Sequence, residues 1–429
     1  MVIIMIKILK ADEFIAERPT QRTAQPEVTD VVSGIIADVI KRGDAALREY
    51  TEKFDGCSPD TFEVTEAEID AAMEEVSPEF IKTMRRAARN IKKFHRRQIQ
   101  QGFIMTPGNG VVLGQRILPL NRVGQYMPGG TAAYPSSVLM NCIPAKLAGV
   151  GEVIMVTPPS KDGSVDAGIL AAARIAGADR VFKIGGAQAI AALAYGTETV
   201  PSVDKITGPG NAYVAEAKRQ VFGVVGIDMI AGPSDITIIA DEYADPALVA
   251  ADMLSQCEHG EDSAAVLITD SADLADEVSA EIEEQLPKLP REKIARASID
   301  NNGRIIIADS IDQAFEISNV IAPEHLEIFL DEPFAYLDLA ENAGSVFLGK
   351  NTPEVVGDYY AGPNHTLPTS GTSRFSSPLS VDDFIKKSSF TYYTADALYS
   401  AGKDIARFAE KEGFAAHAAS VSKRLRRTP

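Results

Sequence analysis

Gly151–Arg219 reads GEVIMVTPPSKDGSVDAGILAAARIAGADRVFKIGGAQAIAALAYGTETVPSVDKITGPGNAYVAEAKR, and its rhythm decides the fold. Three short apolar runs, VIMVTPP, RVFKIGG and VDKITGPG, each give way to a helical pattern beginning near Asp166, Ala187 and Asn211 respectively. Runs this short and apolar throughout, rather than alternating, predict strands buried on both faces, hence a parallel sheet covered by helices. A second series follows, with ITIIAD, AAVLITD, GRIIIAD, LEIFL and SVFLG separated by helical stretches. The chain is therefore read as α/β, with two open units in tandem that part near the Gly232-Pro233-Ser234 turn. In such sheets, ligands usually bind in the crevice beyond the carboxyl ends of the strands.

Outward from this centre the signals change. PEFIKTMRRAARNIKKFHRRQIQ (78–100) sets Phe80, Ile81, Met84, Ala88, Ile91 and Phe94 at helical spacing, opposite a basic face. A basic run of this kind reads as a solvated helix face, with His95 as ordinary surface. The opening MVIIMIKILK, broken by Lys7 and without a small-residue cleavage site, predicts a strand and not a signal peptide. After Gly349 the pattern dissolves into Gly, Pro, Ser and Asn, and a loop of that length is more often functional than idle. The end is helical, IARFAEKEGFAAHAASVSKRL, interrupted at Gly413.

With 429 residues the chain exceeds one compact core, so two or more domains are expected. A formal net charge of −18 argues against nucleic acid or an anionic membrane as partner. No window approaches the roughly 18–20 apolar residues that cross a bilayer. Three scattered cysteines, Cys57, Cys142 and Cys257, have no CxxC spacing, so neither a disulfide framework nor a Cys-rich zinc knuckle is indicated. A reducing cytoplasm is the simplest setting.

Five histidines are present, and four lie beside a carboxylate, an amide or a Gly/Pro-rich loop. SQCEHGED places Gln256 and His259 three residues apart at a helix end, a spacing that can hold a metal or simply be a surface pair. APEHLEIF sets Glu324 beside His325, which suits general acid/base work or an exposed polar loop. Asp358 and His365 share the Gly-rich VVGDYYAGPNH, where an Asp also serves turns. EGFAAH brings Glu412 to the end of one helix and His417 to the first turn of the next. MPGGTAAYPSS, KIGGAQAI and TGPGNAY each put Gly before a helix start, where backbone N–H groups can meet phosphate or merely turn the chain. The GxGxxG fingerprint is absent.

In order, VGQYMPGGTAAYPSSVLMN, GGAQAIAALAYGT, VDKITGPGNAYVAEAKR, VGIDMIAGPS, SQCEHG, APEHLE, NAGSVFLG, GDYYAGPNHTLPTSGTSRFSSPLSV and EGFAAH resemble the histidinol dehydrogenase family, from about Arg22 to Arg426. The resemblance implies two tandem open, mostly parallel, incomplete Rossmann-like domains with small N-terminal and C-terminal extensions. It implies residues 1–20 as the N-terminal extension, and 21–125 with 235–375 as a discontinuous first domain carrying the metal and acid/base residues. Residues 126–234 would form the second domain with the NAD-binding segments, and 376–429 a helical arm completing the partner's site.

The resemblance further implies four zinc ligands, Gln256, His259, Asp358 and His417, with one Zn²⁺ per subunit and Mn²⁺ or Co²⁺ as substitutes. Glu324 would activate water, and His325 would take the alcohol proton. Ser234, His365 and Glu412 would contact the substrate L-histidinol, together with His325 and the ligand residues. Tyr126, Gln188 and Asn211 would contact NAD. A homodimer with shared sites is expected. The chain departs from the usual pattern at Asp235, where Glu is usual, and at Gln125, where an aliphatic residue is usual. Three other readings compete: a same-scaffold paralogue oxidising another primary alcohol such as a sulfonated diol, a zinc hydrolase, and a non-catalytic binding module. Retention of His365, Glu412 and His417 favours the imidazole-bearing substrate over the first.

Overall fold

The computed structural model describes residues 6–17, 26–129 and 133–425, so Gly130 to Ala132 of the first glycine-rich segment lie outside the described residues, as do 1–5 of the N-terminal strand expectation. The chain forms two compact units, Met1–Gln98 with Leu120–Phe384, and Ile99–Pro119 with Ile385–Pro429.

The larger unit contains two parallel sheets. One has six strands in the order Lys7–Lys10, Arg304–Ile307, Ala264–Thr269, Asp235–Ala240, His325–Phe329 and Ser345–Leu348. The other has five, in the order Arg180–Lys183, Glu152–Thr157, Arg122–Tyr126, Lys205–Thr207 and Gly226–Ile227. In each, the first strand of the series lies inside the sheet and the chain reverses direction beside it, which is the doubly wound pattern. The apolar runs are buried because helices cover both faces: Ile236, Ile238 and Ile239, and likewise Val153 to Val156, are inaccessible. Helix starts fall where expected, since Asp166 and Asn211 cap helices Ala167–Ala176 and Ala212–Val221 with their side chains.

The strands and helices partition the chain differently from the expected 21–125 plus 235–375. Helices Pro26–Arg42, Asp44–Asp55, Glu66–Glu75 and Pro78–His95 pack on the five-stranded sheet, where Val32, Leu47, Met84 and Ile91 share its two cores. The strand Lys7–Lys10, placed in an extension by sequence, is instead the edge of the six-stranded sheet. An amphipathic helix reveals its apolar stripe but not which sheet will receive it, so this partition was not readable. His95 is a second correction: it is fully buried, and its Nδ1 lies 2.6 Å from Gln98 Oε1. Phe80 and Phe94, expected on the buried stripe, are exposed.

The smaller unit is an antiparallel sheet in the order Ile385–Tyr393, Val111–Pro119, Phe103–Gly108, followed by helices Ala395–Lys411 and Ala415–Arg424. Gly413, at φ +82°, makes the break between the helices. The helical arm expected over 376–429 instead starts within the larger unit, up to Phe384, and continues with a nine-residue strand before its helices. KKSSFTYY has β-prone residues but no clean apolar alternation, which leaves little periodicity to read. Among the described residues, no helix is long and apolar enough to cross a membrane.

Candidate active site

Parallel pairing sets His325 against Ile236, so that Asp235 and the Glu324-His325 pair begin neighbouring strands. The acid/base residues thus stand at the amino edge of the six-stranded sheet, beside its point of reversal, and not at the carboxyl edge where such sheets usually bind ligands. Returning helices deliver the rest. Pro246–Cys257 runs back from the far edge and carries Gln256 in its last turn, with His259 just beyond its end, and the short helix Glu354–Tyr359 returns Asp358.

Asp235 and Glu324 clamp one another. The Glu324 N–H donates to Asp235 Oδ1 at 2.8 Å, and the Asp235 N–H donates to Glu324 Oε2 at 3.1 Å. Asp235, the shorter acid at this position, thus still reaches the acid/base pair. Burial pushes the Glu324 carboxyl up to about 8 and Asp235 to about 6. His325 Nδ1 lies 3.0 Å from the Asp235 carbonyl oxygen. A carbonyl only accepts, so Nδ1 carries a proton and the neutral ring presents its lone pair at Nε2. That Nε2 is buried, has no hydrogen-bond partner, and stands 3.7 Å from Asp358 Oδ1. Although burial works against the cation, Glu324 and Asp358 hold the imidazole up to about 10.

Asp358 is the hub. Burial would raise its carboxyl, but His325, His365 and His259 more than offset this and lower it. His365 is fixed at both nitrogens: Nδ1–H donates to the Asp358 carbonyl at 2.9 Å, and Nε2 accepts from Ser137 Oγ at 3.0 Å. Ser137 belongs to the first turn of helix Pro135–Ala148, which follows the strand Arg122–Tyr126. Through this contact the amino edge of one sheet meets the carboxyl edge of the other. A cavity of about 170 Å³ opens among His325, Phe347, Asp358, Asn364 and His365.

Gln256 is 0% exposed, yet neither atom of its amide has a partner. A buried unpaired polar group costs about 1–3 kcal/mol, so two on one side chain mark a place built for something else. Its neighbour Ser255 donates to Glu354 Oε1 at 2.7 Å, while Glu354 Oε2 is buried without a partner. Among the described residues, His325, Glu354 and Asp358 bring one ligand atom each within 4.8 Å of one another. Sequence reading missed Glu354 and Ser137. Glu354 lies one helical turn before Asp358, a spacing that puts both on one face and offered the signal. Ser137 had none beyond its place in a glycine-rich segment.

At the five-stranded sheet, Tyr126 ends the strand Arg122–Tyr126, and its hydroxyl accepts the Gly186 N–H at 3.1 Å. Gln188, in the first turn of helix Gly186–Tyr195, is buried with both amide atoms unpartnered. Asn211 Oδ1 caps its helix at the N–H groups of Tyr213 and Val214. Gln125 spends its amide inside the core, donating to the Asn141 carbonyl at 2.8 Å and accepting from the Cys142 thiol at 2.6 Å. Ser234 adjoins Asp235 on the turn between the sheets. Glu412 and His417 belong to the smaller unit, where both are exposed.

The family profile described as Histidinol dehydrogenase matches residues 17–425. The chain belongs to the histidinol dehydrogenase family. It is accordingly a dehydrogenase, an enzyme and not a bare binding module. Histidinol dehydrogenase of Geobacillus kaustophilus is 51% identical over 420 residues, covering 98% of this chain and 99% of that one. That of Clostridium acetobutylicum is 52% identical over 400 residues, covering 93% of each. Among solved structures, histidinol dehydrogenase from Elizabethkingia anophelis superposes with a TM-score of 0.92 at 40% identity, covering 98% of both chains.

Proposed function

We propose that the chain oxidises L-histidinol to L-histidine through L-histidinaldehyde, passing one hydride to each of two NAD molecules, with zinc in the substrate site. The observation that carries this reading is the buried Glu324-His325 pair, whose only unpartnered imidazole nitrogen, Nε2, faces the cavity beside Asp358. A base of fixed tautomer and a carboxyl of raised affinity, side by side, suit two successive proton removals.

The residues fit a zinc ion. Gln256 offers a buried, unpartnered amide oxygen, Asp358 an ionised carboxylate, and His259 an imidazole within electrostatic reach of Asp358. Such N/O donors suit zinc, with Mn²⁺ or Co²⁺ as substitutes. Bound there, the ion would anchor the imidazole and amine of histidinol and orient its alcohol carbon. His325, once it has given up its own Nε2 proton, takes the hydroxyl proton there as the first hydride leaves. Glu324 then takes a proton from water as it adds to the aldehyde, whose oxygen takes the proton held on His325, and the resulting diol gives a hydroxyl proton back to His325 as the second hydride leaves to the second NAD. His365, fixed by Ser137, lines the cavity next to Asp358. Tyr126, Gln188 and Asn211 would receive NAD at the carboxyl edge of the five-stranded sheet.

Glu412 and His417 complete the proposal as contributions from the partner in a homodimer, His417 as the fourth zinc ligand. Asp358→Ala and His417→Ala chains, each inactive, should regain partial activity when mixed and reassembled, whereas a mixture as inactive as its parents would place each site within one chain. The reaction itself is tested by NADH absorbance. Two NADH per histidinol, lost with chelator and restored by zinc, are expected. Zinc-replete protein that forms none would overturn the reading and send the search to other primary alcohols.

A further inference from the structure

Beneath the glycine turn of the five-stranded sheet lies an ion pair that no step of the reaction uses. Lys218, on helix Ala212–Val221, and Asp228, just after the strand Gly226–Ile227, have side chains 2% and 1% exposed, with their charged groups in direct contact. Burying such a pair commonly costs as much hydration as the attraction returns, so stability alone is a weak reason for it. Both partners spend further bonds on one residue. Lys218 Nζ donates to the Gly208 carbonyl at 2.9 Å, and Asp228 Oδ2 accepts the Gly208 N–H at 2.8 Å. Asp228 Oδ1 also accepts the Met229 N–H at 2.6 Å.

Gly208 needs to be held. Its φ is +111°, and a Cβ there would stand 2.1 Å from the Tyr126 carbonyl oxygen, so the turn lies directly against the end of the strand Arg122–Tyr126. From Gly208 the chain runs through Pro209 and Gly210 to Asn211. The strands on this side are short, Lys205–Thr207 and Gly226–Ile227, and their ladder defines the turn poorly. Charge-assisted bonds, roughly twice as strong as neutral ones, supply the missing definition.

We infer that the Lys218–Asp228 pair is a positioning device for NAD, holding the Gly208–Asn211 turn against Tyr126 in the shape that receives the cofactor. The inference rests on the NAD reading above. It is tested on the full-length, zinc-loaded protein by NAD dissociation constants, KM values for both substrates, zinc content and melting temperature. The variants are Lys218→Met, Asp228→Asn and the double variant. Each single change leaves a lone buried charge and should lower both the melting temperature and NAD affinity. The double variant carries no lone charge. It should recover most of the melting temperature while NAD binding stays about tenfold weaker or more, because the Gly208 carbonyl still lacks its donor. Its KM for histidinol and its zinc content should match the parent. Recovery of NAD affinity along with stability would overturn the inference and leave the pair a structural element only. Should these variants not fold, Gly208→Ala perturbs the same turn directly; it should weaken NAD about tenfold or more with zinc content unchanged, and parental affinity there would equally overturn the inference. A parental protein that binds no NAD at all would fail the NAD reading instead.

Discussion

The two parallel sheets are wound alike but gather their candidate groups at opposite edges. At the five-stranded sheet the candidate groups gather at the carboxyl edge and are neutral: glycine turns, the Tyr126 hydroxyl, and the amides of Gln188 and Asn211. At the six-stranded sheet they gather at the amino edge and are ionisable: Asp235, Glu324, His325, Glu354 and Asp358. Ser137 and His365 join the two edges. A neutral edge suits a cofactor held by backbone N–H groups and amides, whereas an edge of buried carboxyls and imidazole suits proton transfer and a cation. Winding alone therefore does not choose the edge. Returning helices that end in Gln256-X-X-His259, or that carry Asp358, can furnish the amino edge equally well.

If the edges divide the labour this way, changes at one should spare the other. Glu324→Gln removes the carboxylate proposed to activate water, so overall turnover should fall about 10²- to 10⁴-fold. NADH yield should drop toward one per histidinol while NAD affinity stays constant. Loss of NAD binding in this variant would break the division. Gln256→Met is the next largest. It should weaken zinc binding about 10- to 100-fold while raising the melting temperature of the metal-free protein, because an unpaired buried amide is gone. A lower metal-free melting temperature would mean that the amide already has a role without metal.

The charged edge also predicts a pH dependence that the neutral edge lacks. Glu324 is raised from 4.5 to about 8, Glu354 from 4.5 to about 7 and Asp235 from 3.8 to about 6, burial being the largest cause in each. A raised carboxyl favours the folded state below its unfolded value, and that contribution is lost as pH climbs through the folded value. His325, raised to about 10, acts in the same direction at higher pH. Metal-free protein should therefore lose melting temperature from about pH 5 to pH 8, and zinc should flatten the curve. A metal-free curve that is flat across that range would deny the buried charge cluster. Smallest is Tyr126→Phe, which deletes one hydrogen bond to the Gly186 N–H. NAD affinity should fall about fivefold, near 1 kcal/mol, with zinc affinity unchanged.

Much of this was legible from residue order. The apolar runs announced both sheets, and Asp166 and Asn211 announced their helix starts. The spacing of Glu324, His325 and Asp358 leaves them open between chemistry and an exposed loop or turn, and only the family resemblance gives them roles; that all three are buried is legible in the structure alone. What stayed hidden depended on docking. Helices 26–95 show a stripe without naming its sheet, and Lys7–Lys10 pairs with a strand almost three hundred residues away. Glu354 drew no reading from sequence, and only Ser255 and Asp358 beside it mark it out. KKSSFTYY concealed a strand because its pattern is carried by pairing with Val111–Pro119.

The helix that carries Asp358 has only six residues, Glu354–Tyr359. A segment so short gains too few internal hydrogen bonds to repay its nucleation, so it is shaped by what it touches. Asp358 is therefore less a fixture awaiting a ligand than a hinge pin seated by its neighbours. Its geometry is set by the same groups that line the cavity, His325, Phe347 and His365, so the cavity and the helix that closes it are one construction.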